Sequence, residues 1–302
     1  MLLSQDLPII LTLLSAAVTA ILAGSLLLPR GQIMISEAAS HAVLPGLIIG
    51  FALSGDHGWQ VLLGAIVTIA LFVGGVSWLR TRHRLGPGVE IAALFPVFFG
   101  LGILALSLTG LEKTGTIDVD HILFGSLELL FWFDAGTWSD LLRPATWASA
   151  PGPMMTALVG LALSLSLCVI AYPFLNRSLM DAHHAGLITP VAAAVARALE
   201  TLIVALAAAA CLRSAGVVVA IALFSGPVIA AWSLARTLWQ VWLIAIGVAL
   251  LAVVLTYGVS LATAAVLDVE PRISGVLALW LVVLAVFAPV LARLTGRNRP
   301  LP

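Results

Sequence analysis

Residues 238–262 read LWQVWLIAIGVALLAVVLTYGVSLA, an unbroken stretch without a single charged side chain. An α-helix rises about 1.5 Å per residue, so this stretch can cross the ~30 Å hydrocarbon layer of a membrane. The whole chain has the same character, because 62% of its 302 residues are apolar and only 9% are charged. Soluble domains are about 45–50% apolar and about 25% charged. The sequence therefore predicts an all-α integral membrane protein.

Apolar runs bounded by charge, Gly or Pro predict about nine spans. They fall at 7–28, 36–55, 58–79, 88–109, 154–175, 190–212, 216–234, 238–262 and 272–292. The longest interruption, 111–150, contains an apolar piece at 122–133 that is too short to cross. We expect 111–150 to form an outer loop with a short surface or re-entrant helix near 121–133. No soluble domain is expected, so residues 1–302 form one transmembrane domain.

The arginines predict which side of the membrane each loop faces. With the N-terminus outside, the cytoplasmic loops hold nine basic residues and the outer loops hold four, which agrees with the positive-inside rule. The predicted cytoplasmic set is Arg30, Arg80, Arg82, Arg84, Arg177, Arg236, Arg293, Arg297 and Arg299, and the outer set is Lys113, Arg143, Arg213 and Arg272. The C-terminus is then cytoplasmic.

The charge balance, the two cysteines and the N-terminal segment further limit what kind of protein this is. The formal net charge is zero and no basic patch is present, which argues against nucleic-acid binding. Cys168 and Cys211 lie in separate apolar runs and are expected to be small core residues. No Lys or Arg precedes the apolar part of 1–28, so this segment is expected to be the first span and not a cleaved signal peptide.

Three ionisable residues fall inside predicted spans, where charge is costly and usually functional. Glu37 and His41 are four residues apart, so both project from one face of a helix. Glu90 starts the fourth span from the same predicted cytoplasmic side, which places it in the same leaflet. Two carboxylates and one imidazole suit Mn(II), Fe(II) or Zn(II), and the lack of thiol partners argues against Cu(I). Alternatively, these side chains are hydrogen-bonded glue between packed helices.

A second polar group, Asp118, Asp120 and His121, lies on the predicted outer face. These side chains are expected either to attract a cation to the outer mouth of a pathway or to be an ordinary solvated charge run. Within the sixth span, Arg197 and Glu200 are three residues apart and are expected to form a structural ion pair.

The predicted cytoplasmic loop 176–187 mixes apolar and polar residues and is closed by glycine. It is expected to form either a short amphipathic helix that docks into a partner subunit or a plain connector. The residues that would carry this coupling contact are Leu179, Met180, Asp181, Ala182, His183 and Gly186.

From about Gly31 to Pro289 the chain resembles the permease subunits of the metal-type ABC importers, the zinc, manganese and iron uptake class. The most specific stretch is SEAASHAVLPG at 36–46, which is similar to the family's acid-x-x-Ser-His-Ala-x-x-Pro-Gly stretch. DHILFG at 120–125 and FSGPVIAA at 224–231 agree with it in order and spacing, and the first looks closer to the manganese and iron branch. The chain departs from the family in having Glu at 37 and 90, where Asp is common, and in the pair His183–His184.

The resemblance implies that Glu37 and His41 take part in metal passage and that the segment around Asp181–Gly186 contacts an ATPase. The sequence lacks the Gly-x-x-x-x-Gly-Lys-Ser/Thr phosphate loop, so separate cytoplasmic ATPase subunits are expected. An extracytoplasmic metal-binding protein and a second permease copy, identical or paralogous, are the other expected partners. The metal ion is the substrate and no permanent cofactor is expected. The resemblance places the chain in the cytoplasmic membrane of a bacterium.

Two other functions remain open from the residues alone. In a proton-coupled secondary transporter, Glu37, His41 and Glu90 would relay protons. A membrane metalloenzyme would use His41 and the acids to activate water, although the usual His-Glu-x-x-His spacing is missing.

Overall fold

A computed structural model of the chain describes residues 3–55, 59–83, 88–110, 127, 130–180, 190–267 and 273–294. Within these ranges the regular structure is entirely helical, as the composition predicts. The helices are α1 Leu3–Leu27, α2 Ile35–Ala42, α3 Leu44–Ser54, α4 Trp59–His83, α5 Val89–Thr109, α6 Pro144–Ala148, α7 Gly152–Met180, α8 Pro190–Ala215, α9 Val217–Trp232, α10 Leu238–Leu267 and α11 Ile273–Leu294.

Eight helical segments in this part of the chain are long and apolar enough to cross a membrane. They are α1, the segment formed by α2 and α3, α4, α5, α7, α8, α10 and α11. Each overlaps a span expected from the sequence, which confirms the prediction of an all-α membrane protein.

The remaining expected span, 216–234, is represented by the shorter helix α9. Its 16 residues extend about 24 Å at 1.5 Å per residue, less than the ~30 Å hydrocarbon layer. Gly216 separates it from α8 with φ +81°, a conformation that L side chains rarely adopt. Helix α9 packs against α1, α10 and α11 and is largely buried. A short central helix is tolerated because its surroundings are protein rather than lipid.

Helix α1 lies at the centre of the molecule. In the most apolar 18-residue stretch of α1, 78% of the residues are buried, whereas 11% are buried in the corresponding stretch of α5. Helix α1 is therefore surrounded by protein, and α5 is mostly peripheral. Helices α7, α8, α9 and α10 all pack against α1. At Gly24 an added Cβ would lie 2.1 Å from the carbonyl oxygen of Phe224, so only glycine permits this approach between α1 and α9.

The expected span 36–55 is divided into α2 and α3. Val43 separates the two helices, and Pro45 occupies the first turn of α3, where its missing N–H costs nothing. Just beyond it, Gly46 crosses Gly64 of α4 so closely that a Cβ on Gly46 would lie 2.1 Å from the carbonyl oxygen of Gly64. Close backbone contact through small residues is a common way to pack membrane helices.

The outer segment that follows α5 is described only in part. Of the short helix expected near 121–133, Leu127 lies in a 3-10 turn and 130–133 are not helical, while the rest falls outside the described residues. Trp132 fixes the segment, because its backbone N–H donates to the carbonyl of Ser4 at 2.8 Å and its indole N–H donates to the carbonyl of Thr146 at 3.0 Å. The 3-10 turn Asp140–Leu142 and helix α6 follow.

Candidate metal pathway

Helix α2 holds the two residues on which the metal hypothesis depends. Glu37 lies in its first turn and is exposed, and His41 lies in its last turn and is half-buried. The four-residue separation places both on one face, one turn apart, as the sequence predicts. Pro45 and Gly46, at the end of the SEAASHAVLPG stretch, fix α3 against α4. The earlier residues of the same stretch form α2, which is therefore held next to this contact.

The imidazole of His41 rests against two phenylalanines of α5, which we call the aromatic pair. The ring centroids of His41 and Phe95 are 5.7 Å apart, those of His41 and Phe99 are 5.9 Å apart, and both contacts are edge-on. Phe95 and Phe99 stack on each other at 5.9 Å. These contacts restrict the orientation of the imidazole ring, and they cover part of it with apolar surface.

Sequence reasoning missed the aromatic pair. Phe95 and Phe99 are themselves four residues apart, so a shared helix face could have been recognised from the sequence. Which residue they face depends on how α5 lies against α2, and the sequence contains no signal for that.

Glu90 begins α5 and is 1% exposed, the most deeply buried acid in the described part of the chain. Its Oε1 lies 3.8 Å from Nε of Arg80 on α4, and its Oε2 is buried without a hydrogen-bond partner among the described residues. Phe95 lies five positions after Glu90, which is about 7.5 Å along the axis of α5. Glu90 therefore lies nearer to the N-terminal end of α5 than the aromatic pair that contacts His41.

The three expected metal ligands do not converge on one point. Across the described ranges, no group of three or more His, Cys, Asp and Glu side chains lies close enough to hold a metal ion. Glu37 and His41 share one helix face, whereas Glu90 faces Arg80. The arrangement is therefore not that of a closed structural site, which surrounds the metal with ligands.

The ion pair expected between Arg197 and Glu200 is replaced by a longer-range one. Glu200 of α8 is bound by Arg30, which follows α1, with Nη2 and Oε1 2.5 Å apart. Arg80 adds to this connection by donating from Nη1 and Nη2 to the backbone carbonyl of Arg30, each at 3.3 Å. The three-residue spacing within α8 predicted Arg197 as the partner of Glu200. The packing of α1 and α4 beside α8 brings Arg30 to Glu200 instead.

Several predicted site residues lie outside the described residues. These are Asp118, Asp120 and His121 at the expected outer mouth, and Asp181, Ala182, His183 and Gly186 of the expected coupling segment. Leu179 and Met180 are described as backbone only, as the last two residues of α7. The helix therefore continues to Met180, past the expected start of the loop at 176, and Pro173 does not end it.

Cys168 and Cys211 are free thiols, both fully buried, as expected for small core residues. In the outer segment, Thr137 donates from its hydroxyl at 2.7 Å and its backbone N–H at 2.8 Å to Asp140. These hydrogen bonds hold the pKa of Asp140 below its ordinary value, so this carboxylate is charged at neutral pH.

Comparison with known proteins finds a matching family and several similar membrane proteins. Residues 7–131 match the family described as ABC 3 transport family. The manganese import system permease protein ScaB of Streptococcus parasanguinis is 26% identical over 248 residues, 82% of this chain and 78% of that protein. The chelated iron transport system membrane protein YfeD of Yersinia pestis is 26% identical over 247 residues, 82% and 73% of the two chains.

Matches of higher identity are shorter. An uncharacterised membrane protein of Cyanophora paradoxa is 38% identical over 114 residues, but the match covers only 38% of this chain and 36% of that protein. Among solved structures, PsaBC from Streptococcus pneumoniae in complex with Fab superimposes with a TM-score of 0.69 at 21% identity, over 96% of this chain and 94% of that one. This likeness shows the fold over nearly the full length. The resemblance expected from the sequence is thus confirmed: residues 7–131 match the ABC 3 transport family, and the chain shares its fold with PsaBC over nearly its full length.

Proposed function

We propose that the chain is the permease subunit of an ATP-driven importer for divalent transition-metal ions, with manganese and iron preferred and zinc next. The observation that carries the proposal is the pairing of Glu37 and His41 on one face of α2, with the imidazole against the aromatic pair of α5. A carboxylate and an imidazole are ligands for these metals. The two long relatives are named for manganese and chelated iron, which favours those ions.

In this proposal the ion first meets Asp118, Asp120 and His121 at the outer mouth and then passes Glu37, His41 and Glu90. Removing a dication from water is costly, and each carboxylate along the way offsets part of that cost. The unpartnered Oε2 of Glu90 supports its place on the route, because a buried carboxylate oxygen without a donor can accept a cation.

The energy comes from partner subunits. Separate cytoplasmic ATPases contact the segment 176–187, at Leu179, Met180, Asp181, Ala182, His183 and Gly186, and move the spans between outward-open and inward-open states. An extracytoplasmic metal-binding protein delivers the ion, and a second permease copy completes the pathway. The complex resides in the cytoplasmic membrane of a bacterium. No permanent cofactor is proposed, since the metal ion is the substrate.

The test is metal uptake by the chain reconstituted into vesicles with its ATPase and binding protein. We expect ATP-dependent uptake of Mn(II), competition by Fe(II), and weaker competition by Zn(II). Glu37→Gln and His41→Ala should each reduce uptake at least tenfold while the complex still assembles, because each removes one ligand from the route.

Asp134→Asn provides the control, since it removes an exposed carboxylate in the outer segment and should leave uptake unchanged. Normal uptake by both the Glu37 and the His41 variants would remove these residues from the route. Uptake driven by a proton gradient and indifferent to ATP would contradict the importer proposal altogether.

A further inference from the structure

A cavity of about 550 Å³ lies where α1, α4 and α8 meet, at the ends predicted to face the cytoplasm. Three arginines line its polar wall, and each comes from a different one of the three chain segments that meet there. We call this space the arginine cavity. Arg30 follows α1, Arg80 belongs to α4, and Arg197 belongs to α8. A volume of this order is typical of small-molecule sites, which run from about 300 to about 1,000 Å³.

The arginine cavity has an excess of positive charge. Among the described residues, its charged lining consists of Arg30, Arg80 and Arg197 and one carboxylate, that of Glu200, which gives a formal excess of two positive charges. The Nε of Arg30 is also buried with no hydrogen-bond partner among the described residues. A buried donor without an acceptor is costly, and guanidinium groups bind phosphate well because several N–H donors lie in one plane.

This charge argues against passage of a metal ion through the cavity. Glu90, which does not line the cavity, lies 3.8 Å from Arg80, and its one negative charge does not reverse the excess. A dication would be repelled here, whereas a phosphate group would balance the charge and supply acceptors. The cavity is therefore separate in chemistry from the route past Glu37 and His41.

We propose that the arginine cavity binds the phosphate headgroup of an anionic membrane lipid. The site lies at the ends of three spans, and Leu26, Val73 and Val204 give it an apolar wall beside the arginines. That combination suits the phosphate and glycerol region of a lipid. Anionic lipids are abundant in the cytoplasmic leaflet, and basic pockets between helix ends are known to bind their headgroups.

The test is thermal unfolding of the purified full-length chain in detergent, titrated with phosphatidylglycerol or with zwitterionic phosphatidylcholine. Phosphatidylglycerol should raise the unfolding midpoint to a plateau, and phosphatidylcholine should not. Arg197→Gln should raise the half-saturating phosphatidylglycerol concentration about fivefold, the loss expected for one arginine near an anionic headgroup. Arg197→Lys should restore most of the affinity, which a purely structural role for the guanidinium would not predict.

Arg236→Gln is the matched control, because Arg236 is exposed, is predicted to face the same side and does not line the cavity. It should leave the phosphatidylglycerol response unchanged. Inorganic phosphate that shifts the midpoint with the same dependence on Arg197 would support the anion site but assign it to free phosphate. Equal responses to the two lipids, or equal responses of the Arg197→Gln and Arg236→Gln variants, would overturn the proposal.

Discussion

Arg80 is the side chain that joins the ends of three helices. It faces the buried carboxylate of Glu90 at the start of α5 and donates to the backbone carbonyl of Arg30 after α1. A buried carboxylate without a cationic partner is strongly destabilising, and the loss is only partly relieved by nearby water. Arg80 thus offsets part of the cost of burying the Glu90 carboxyl group where the proposed route needs it.

Replacing Arg80 with Gln should therefore destabilise the protein. We expect a loss of about 1–3 kcal/mol, below the about 3–5 kcal/mol of a fully buried pair because the Arg80 side chain is 35% exposed. The measurement is the unfolding midpoint of the purified chain in detergent. The double variant Arg80→Gln, Glu90→Gln should recover part of the loss, since it removes the unpaired carboxylate.

Arg82→Gln is the control for this prediction, because Arg82 is exposed and lies on the same helix. Its midpoint should change little. An Arg80 variant as stable as the Arg82 variant would show that the pair with Glu90 contributes nothing to stability.

At the residue scale, the sequence could predict neighbours within one helix and little beyond. The relation of Glu37 to His41 follows from helical periodicity alone. The contacts of His41 with Phe95 and of Glu200 with Arg30 depend on how separate helices pack. Sequence spacing therefore identified the acids and the histidine but could not predict their partners on other helices.

At the scale of elements, the crossing of α3 and α5 depends on Gly102. A Cβ added there would lie 2.7 Å from Cβ of Leu44 and 3.2 Å from Cδ of Pro45, both in the first turn of α3. Because α2 ends just before this contact, the close approach at Gly102 lies next to the region where α2 itself packs against α5.

Gly102→Ala should destabilise the protein by about 1–3 kcal/mol, the usual cost of forcing extra atoms into a packed contact. Gly100→Ala is a matched control on the same helix, since nothing lies within 4 Å of its added Cβ. The control should be neutral or slightly stabilising, because alanine favours helix more than glycine does. Equal unfolding midpoints for the two variants would show that α5 can move away at no cost.

Element positions were largely predictable, and their interruptions were not. Each expected span overlaps a helix because apolar length is the dominant signal for a membrane helix. Hydropathy could not distinguish the interruption between α2 and α3 at Val43 from a continuous helix, nor could it show that α9 is only 16 residues long. Both features arise from local backbone geometry, at Pro45 and at Gly216, inside continuous apolar sequence.

At the scale of the whole molecule, α9 decides which side of the membrane the C-terminal third faces. Eight long segments and a crossing α9 give an odd number of crossings, which places the two ends of the chain on opposite sides. If α9 did not cross, everything after it would be inverted and Arg236 would face outward. The arginine distribution favours the crossing, because Arg236, Arg293, Arg297 and Arg299 would otherwise lie outside.

Labelling of single cysteines in intact cells with a membrane-impermeant maleimide tests this prediction directly. Cys168 and Cys211 are buried, so the native background should be low. Asp134→Cys, in the exposed outer segment, should be labelled at once, and Arg82→Cys should be labelled only after the membrane is opened. Arg236→Cys should behave like Arg82→Cys, because Arg293, Arg297 and Arg299 remain after the change and still favour the cytoplasmic side for the C-terminus. If Arg236→Cys were labelled from outside while Arg82→Cys stayed protected, α9 would be a re-entrant helix, and only the sidedness after Gly216 would have to be reversed.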